Sequence, residues 1–394
     1  MLDINKLSLQ LNDFTLEMDL ETQKISKRLK KVKEVWNQAL LNDKSLGQKI
    51  LNSLDIVPWN IARPLELLTV KESIPDIPFK YTVIATDGSQ ISPSHHEIST
   101  CFLINIGKIL YTYGTSQKPI QESQPFLYHK ESDLYKIFKR QKVGISDEMI
   151  AIERSILEVN ELKNLCKLAL QRNLPIVGMI DGSLINWGIE NQTWPEDFQL
   201  EIMNRYISIL DEIKNLGVPI CGYISNSRRN DVINMLRLQL CPYEKIDCEN
   251  MCRNEINPCD EIVPLYDRCF WEQELSEGMR SPVFVGTSKV FEKYENHQIC
   301  FFYLNVGCSE IARIEIPRWV MNNQELLDLV HVVSYEQVRK GQGYPVVLSE
   351  AHNQAVIRGS DRVQFYAIIS RKMIKEKKVV ALSNKELRKR GGIV

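Results

Sequence analysis

The sequence predicts a mixed α/β protein, a sheet with both antiparallel and parallel strands flanked by helices and preceded by a helical arm. Three observations predict it. Two short apolar runs end alike, Lys80-Tyr-Thr-Val-Ile-Ala-Thr-Asp87-Gly88-Ser89 and Ile176-Val-Gly-Met-Ile-Asp181-Gly182-Ser183, and each reads as a buried strand. Strand patterns follow the first run directly, whereas helix and strand patterns alternate around the second, which implies parallel pairing there. Residues 1–57 contain no proline and repeat apolar side chains at helical spacing. With 394 residues, 44% hydrophobic and 25% charged, the chain has the length and balance to bury a large core.

In chain order, the arm carries Leu29, Val32, Val35, Trp36 and Leu40 on one face and ends near Pro58. It packs either on the rest of the chain or on a second subunit. Pro64, Pro75 and Pro78 mark a linker into the first Asp-Gly-Ser strand. Beyond Asp87 a polar loop runs to Glu97, and its His95, His96 and Glu97 are either ligands or solvated loop residues. Strands at 101–106 and 108–113, joined at Gly107 as a tight hairpin, complete an antiparallel meander.

A helix is expected over 146–172, with Ser146 as N-cap and Asp147 and Glu148 in its first turn. Its carboxylates include Glu153, Glu158 and Glu161. After the second Asp-Gly-Ser run come a helix near 196–215, a strand at 219–225 and a helix at 231–240. Meander first and crossovers afterwards is the ribonuclease H-like layout. Further strands are expected at 298–306 and 312–316, with a helix at 324–340. Gly341, Gly343 and Pro345 then break that helix and set Tyr344 and His352 on either side of a short strand. The expected organisation is an arm and linker at 1–75, a main domain at 76–370 with a cysteine-rich insert at 241–269, and a basic tail at 371–394. That tail is either solvated surface or part of a track for a phosphate backbone.

Each Asp-Gly-Ser run would deliver a carboxylate to a strand tip, with glycine allowing a sharp turn. Either one alone reads as an ordinary Asp-Gly turn, and it is their repetition after matched strands that points to a site. Side by side in one sheet, the two would form an anionic pocket whose burial a divalent cation on oxygen ligands can offset. Cys241, Cys248, Cys252, Cys259 and Cys269 are half of the ten cysteines. Their spacings depart from paired C-x-x-C knuckles, so a structural zinc, an iron–sulfur cluster and a loop of scattered thiols stay open, with the loop expected. A net charge of −1 excludes a global basic field but not a local basic groove. No apolar run approaches the ~20 residues that span a bilayer. The first residues also lack a secretory pattern, so a cytoplasmic protein with reduced cysteines is expected.

Together these stretches resemble the NurA family of DNA repair nucleases. The matching segments are Ala85-Thr-Asp87-Gly-Ser-Gln-Ile-Ser-Pro-Ser-His-His-Glu97, Glu153-Arg-Ser-Ile-Leu-Glu158 and Met179-Ile-Asp181-Gly-Ser-Leu-Ile-Asn-Trp-Gly188. Tyr223-Ile-Ser225, Phe302-Tyr-Leu-Asn-Val306, Ile314-Glu-Ile-Pro317, Gly343-Tyr-Pro345 and His352-Asn-Gln-Ala355 continue the order. The resemblance implies a Mn²⁺-dependent nuclease (Mg²⁺ as alternative), a 5′-to-3′ exonuclease that is also an endonuclease on single-stranded DNA. It implies action in DNA end resection and double-strand break repair, as a homodimer with a HerA-type hexameric ATPase. It implies catalytic roles for Asp87, Glu158, Asp181, Tyr344 and His352, with Asp87, Glu158, Asp181 and His352 as metal ligands. Glu158 fits the family's Arg-x-x-x-Glu pattern from Arg154, and Glu153 is the alternative. The rival readings are a non-catalytic module that binds DNA ends or an ATPase, and a nuclease directed at RNA.

Overall fold

The computed structural model describes residues 3–53, 56–93, 101–138, 141–186, 194–243, 246–252 and 257–376. The chain divides into two units, one built from 1–75 and 224–321, the other from 76–223 and 322–394. His95, His96, Glu97 and residues 377–394 of the basic tail lie outside the described residues.

The second unit holds the two Asp-Gly-Ser strands. Strands Tyr81–Ile91, Phe102–Tyr113 and Ile120–Tyr128 pair antiparallel in succession. Ile176–Asp181 joins Tyr81–Ile91 in parallel, and Ile220–Ile224 joins Ile176–Asp181 in parallel. Numbered along the chain, these five strands stand in the order 3-2-1-4-5. That is the ribonuclease H-like sheet the sequence pattern predicts. The helices Asp147–Leu170 and Val346–Ala355 both pack on its first two strands. Ser146 caps the former as expected, its hydroxyl accepting the Met149 N–H.

Three local expectations are corrected. Asp87 is not at a strand tip: its strand continues to Ile91, with Gly88 to Ile91 paired against Ile106 to Leu103. Gly107 makes no hairpin, because one strand runs straight through it from Phe102 to Tyr113. A Cβ at Gly107 would stand 2.2 Å from the Ala351 carbonyl oxygen, so the residue is small to let the helix Val346–Ala355 lie on the sheet. That helix replaces the short strand expected after Tyr344. Its Val347, Leu348, Ala351 and Ala355 are buried at helical spacing, and this periodicity outweighs the strand preference of Val346-Val347.

The first unit contains the arm. Helices Ile4–Leu41 and Asp43–Ser53 bury Val32, Val35, Trp36, Ala39, Leu46 and Ile50 in a core shared with Val232, Leu236, Phe270 and Trp271. The Trp36 ring meets Phe270 at 5.1 Å and Trp271 at 5.3 Å, so the arm's second half packs on its own chain. Four antiparallel strands, Ala62–Pro64, Phe284–Gly286, Ile299–Gly307 and Glu310–Pro317, complete the unit. Inside it, Arg313 is 1% exposed and donates to Asp231 at 2.6 Å and to Glu315 at 3.2 Å. Asp267 accepts the N–H groups of Val232 and Ile233 and the Tyr303 hydroxyl. Among the described residues, no helix is long and apolar enough to cross a membrane.

Candidate active site

Parallel register brings the two aspartates together. Thr86 stands opposite Ile180, so the next residues, Asp87 and Asp181, come level on neighbouring strands. Gly182 turns away immediately with φ +94°, as expected of the second Asp-Gly-Ser. Successive residues on a strand face opposite sides of a sheet, so Asp87 looks toward the helix Val346–Ala355 and Gly88 toward the helix Asp147–Leu170. A Cβ on Gly88 would stand 2.5 Å from Glu158 Oε1. The missing side chain is therefore what admits the Glu158 carboxylate to the level of Asp87. The Thr86 hydroxyl donates to the Glu158 carbonyl oxygen at 2.9 Å and fixes the helix at that height.

His352 Nδ1 lies 2.8 Å from Asp87 Oδ2, while the Gly88 N–H donates to Asp87 Oδ1 at 2.7 Å. The imidazole is 63% exposed and Asp87 18%, so the group is half-buried at Asp87 and open at the histidine and Asp181. Asn105 Nδ2 and the Ser89 hydroxyl both donate to the Ala355 carbonyl oxygen, holding the end of the histidine helix to the strands. The Tyr344 hydroxyl donates to Asp181, and its ring stands edge-on to Tyr223 at 5.6 Å. All five predicted residues therefore converge. Glu153 does not join them; Arg205 takes it in two hydrogen bonds of 2.8 and 2.9 Å.

The pocket is short of positive charge. Burial pushes the Glu158 carboxyl up to about 8, and the charges of Asp87 and Asp181 push the same way. Arg154, 3.3 Å from Glu158 Oε1, and the Gly88 N–H pull against them without winning. Asp181 is also raised, by loss of water and then by Asp87, against the Tyr344 hydrogen bond and His352. Among the described residues, no group of three or more His, Cys, Asp or Glu side chains is set up as it stands to hold a metal ion. The donor chemistry nevertheless fits one. The carboxylates of Asp87, Glu158 and Asp181 form a hard-oxygen set suited to Mn²⁺ or Mg²⁺.

A strand-borne pair of aspartates faced by a helix glutamate, on a 3-2-1-4-5 sheet, defines a class of acidic-pocket α/β proteins. The family model of the NurA domain matches residues 81–357, and the chain belongs to the NurA family. Among solved structures it is similar to the NurA nuclease from Sulfolobus solfataricus, at 13% identity, covering 88% of this chain and 97% of that one, with a TM-score of 0.47. A second NurA structure matches at 12% identity over 76% of this chain and 90% of its own, with a TM-score of 0.36. Curated proteins give no match.

Sequence reasoning missed the roles of Gly88 and Gly107. Both are visible as glycines inside β-rich runs, a pattern that signals close approach as well as a turn.

Proposed function

We propose that this protein is a metal-dependent phosphodiesterase acting on DNA. The observation that carries the reading is the convergence of Asp87, Glu158 and Asp181 in a pocket their own neighbours do not neutralise. Membership of the NurA family supports DNA as substrate, with 5′-to-3′ exonuclease and single-strand endonuclease activity in end resection and double-strand break repair. The same membership supports a cytoplasmic homodimer working with a HerA-type hexameric ATPase.

Asp87, Glu158, Asp181 and His352 would hold Mn²⁺, or Mg²⁺ in its place. When bound, the cation supplies Lewis-acid polarisation of a phosphate and acidifies water. The chain's own groups do the rest. Tyr344 fixes the rotamer of Asp181 through its hydroxyl, and His352 fixes Asp87 through Nδ1. Arg154, one helical turn from Glu158, orients that carboxylate and lends positive charge where a phosphate would enter. Exposure of the imidazole leaves the approach open for a strand end.

The test is cleavage of end-labelled single- and double-stranded DNA with Mn²⁺, Mg²⁺ or EDTA, beside Asp87→Ala. Manganese-dependent cutting that the variant loses supports the reading. Cutting that survives in Asp87→Ala overturns the site. Cutting of RNA but not DNA moves the substrate to RNA, and failure to cut under any metal with the ATPase present leaves a binding module.

A further inference from the structure

Five cysteines crowd the segment 241–269, and the fold sorts them into four and one. Cys241 is buried as the C-cap of the helix Asp231–Leu240, an end fixed by Lys49 Nζ on its carbonyl oxygen at 2.8 Å. Cys248 opens the single turn Cys248–Met251, and Cys252 follows it four residues later. Cys259 is buried in the 3₁₀ turn Pro258–Asp260, which Arg237 ties to the same helix through Asp260 at 2.9 Å. Cys252, Cys241 and Cys259 all lie within electrostatic range of the Cys248 thiol. Cys252 is in turn within range of Cys259. Cys269 stands apart: it packs beside the core that holds Trp36 and Phe270, and the charged groups acting on it are Arg268, Glu272 and Asp267.

We propose that Cys241, Cys248, Cys252 and Cys259 form a tetrathiolate site for a structural zinc ion. Four thiols make the ligand count of a closed tetrahedral zinc, and residues four apart on a helical turn present their side chains together. As they stand, no three of these thiols are set to hold a metal ion, so binding completes the site by side-chain movement. Among the described residues between Leu240 and Asp267 the helical structure is two single turns, Cys248–Met251 and Pro258–Asp260, and a metal crosslink would stabilise them. The carboxylate pocket is a separate group of residues, so the proposal stands or falls independently of the nuclease reading.

The experiment is metal analysis of the full chain purified from zinc-supplemented cells, beside Cys248→Ser/Cys252→Ser and Cys269→Ser. About one zinc per chain is expected in the wild type and in Cys269→Ser, and none in the double variant. Cobalt added to the chelated protein should give thiolate-to-metal charge-transfer absorption. If the double variant does not fold, alkylation of the wild type decides: the four cysteines should be protected until a chelator is added. Iron and sulfide in place of zinc would overturn the metal. A metal-free protein, a disulfide between Cys248 and Cys252, zinc kept by the double variant, or alkylation indifferent to chelator would overturn the site.

Discussion

Among the described residues, a cluster of carboxylates in the first unit and another in the second differ in how their charge is balanced. In the first unit, Arg313 sits between Asp231 and Glu315 with its guanidinium 3.5 Å over the Phe301 ring, and is 1% exposed. Asp267 beside it collects two backbone N–H groups and a phenol. In the second unit, Arg154 reaches Glu158 alone, while Asp87 and Asp181 lean on an imidazole and a phenol. Buried acid is thus no signature of a site by itself. A closed network around an arginine is scaffolding, whereas an open one short of positive charge is suited to a cation and its substrate.

The sharpest way to break this contrast is a pair of substitutions. Asp181→Ala should lower DNA cleavage by at least about a thousandfold while the melting temperature stays near that of the wild type. Arg313→Ala should do the opposite, costing about 3–5 kcal/mol because it leaves buried carboxylates unpaired. Denaturant titration with parallel cleavage assays reads both. An Arg313→Ala protein as stable as the wild type would show that the first cluster is not scaffolding.

Gly107→Val comes next, since its Cβ would meet the Ala351 carbonyl oxygen. About 1–3 kcal/mol of stability should go, along with cleavage, as the His352 helix lifts from the strand. His352→Ala and Tyr344→Phe should each lower cleavage about 10–100-fold with the fold intact, read as kcat at saturating Mn²⁺.

A pH dependence is also expected in the first unit. Burial, with Asp231 alongside, pushes Asp267 up to about 7. Between the ordinary aspartate value of about 4 and that point, the folded state keeps a proton the unfolded state has lost. This contribution to stability therefore falls as pH rises through the window and levels off above about 7. Melting measured across the range should show the decline, and Asp267→Asn should flatten it.

How much of this was legible in the sequence follows the same divide. The acidic pocket announced itself because local strand patterns deliver Asp87 and Asp181 with the same tripeptide, and a capped helix carries Glu158. The pattern from Arg154 already pointed to Glu158; what holds Glu153 away from the group is tertiary, since Arg205, which claims it, is 52 residues away in sequence. The Arg313 network left no trace in the sequence reading, because Asp231 and Arg313 are 82 residues apart and nothing local marks either. The same limit applied to Gly107, read as a turn because its reason for being small, the Ala351 backbone, arrives from 244 residues later in the chain.

The most direct test of the account is calorimetric titration of Mn²⁺ into the wild type, Asp87→Asn/Asp181→Asn and Asp231→Asn. The account predicts binding in the wild type, a loss of at least about tenfold in affinity in the double variant, and wild-type affinity in Asp231→Asn. Equal Mn²⁺ affinity in the wild type and the double variant would contradict it, because the cation would then bind somewhere other than the pocket of Asp87 and Asp181.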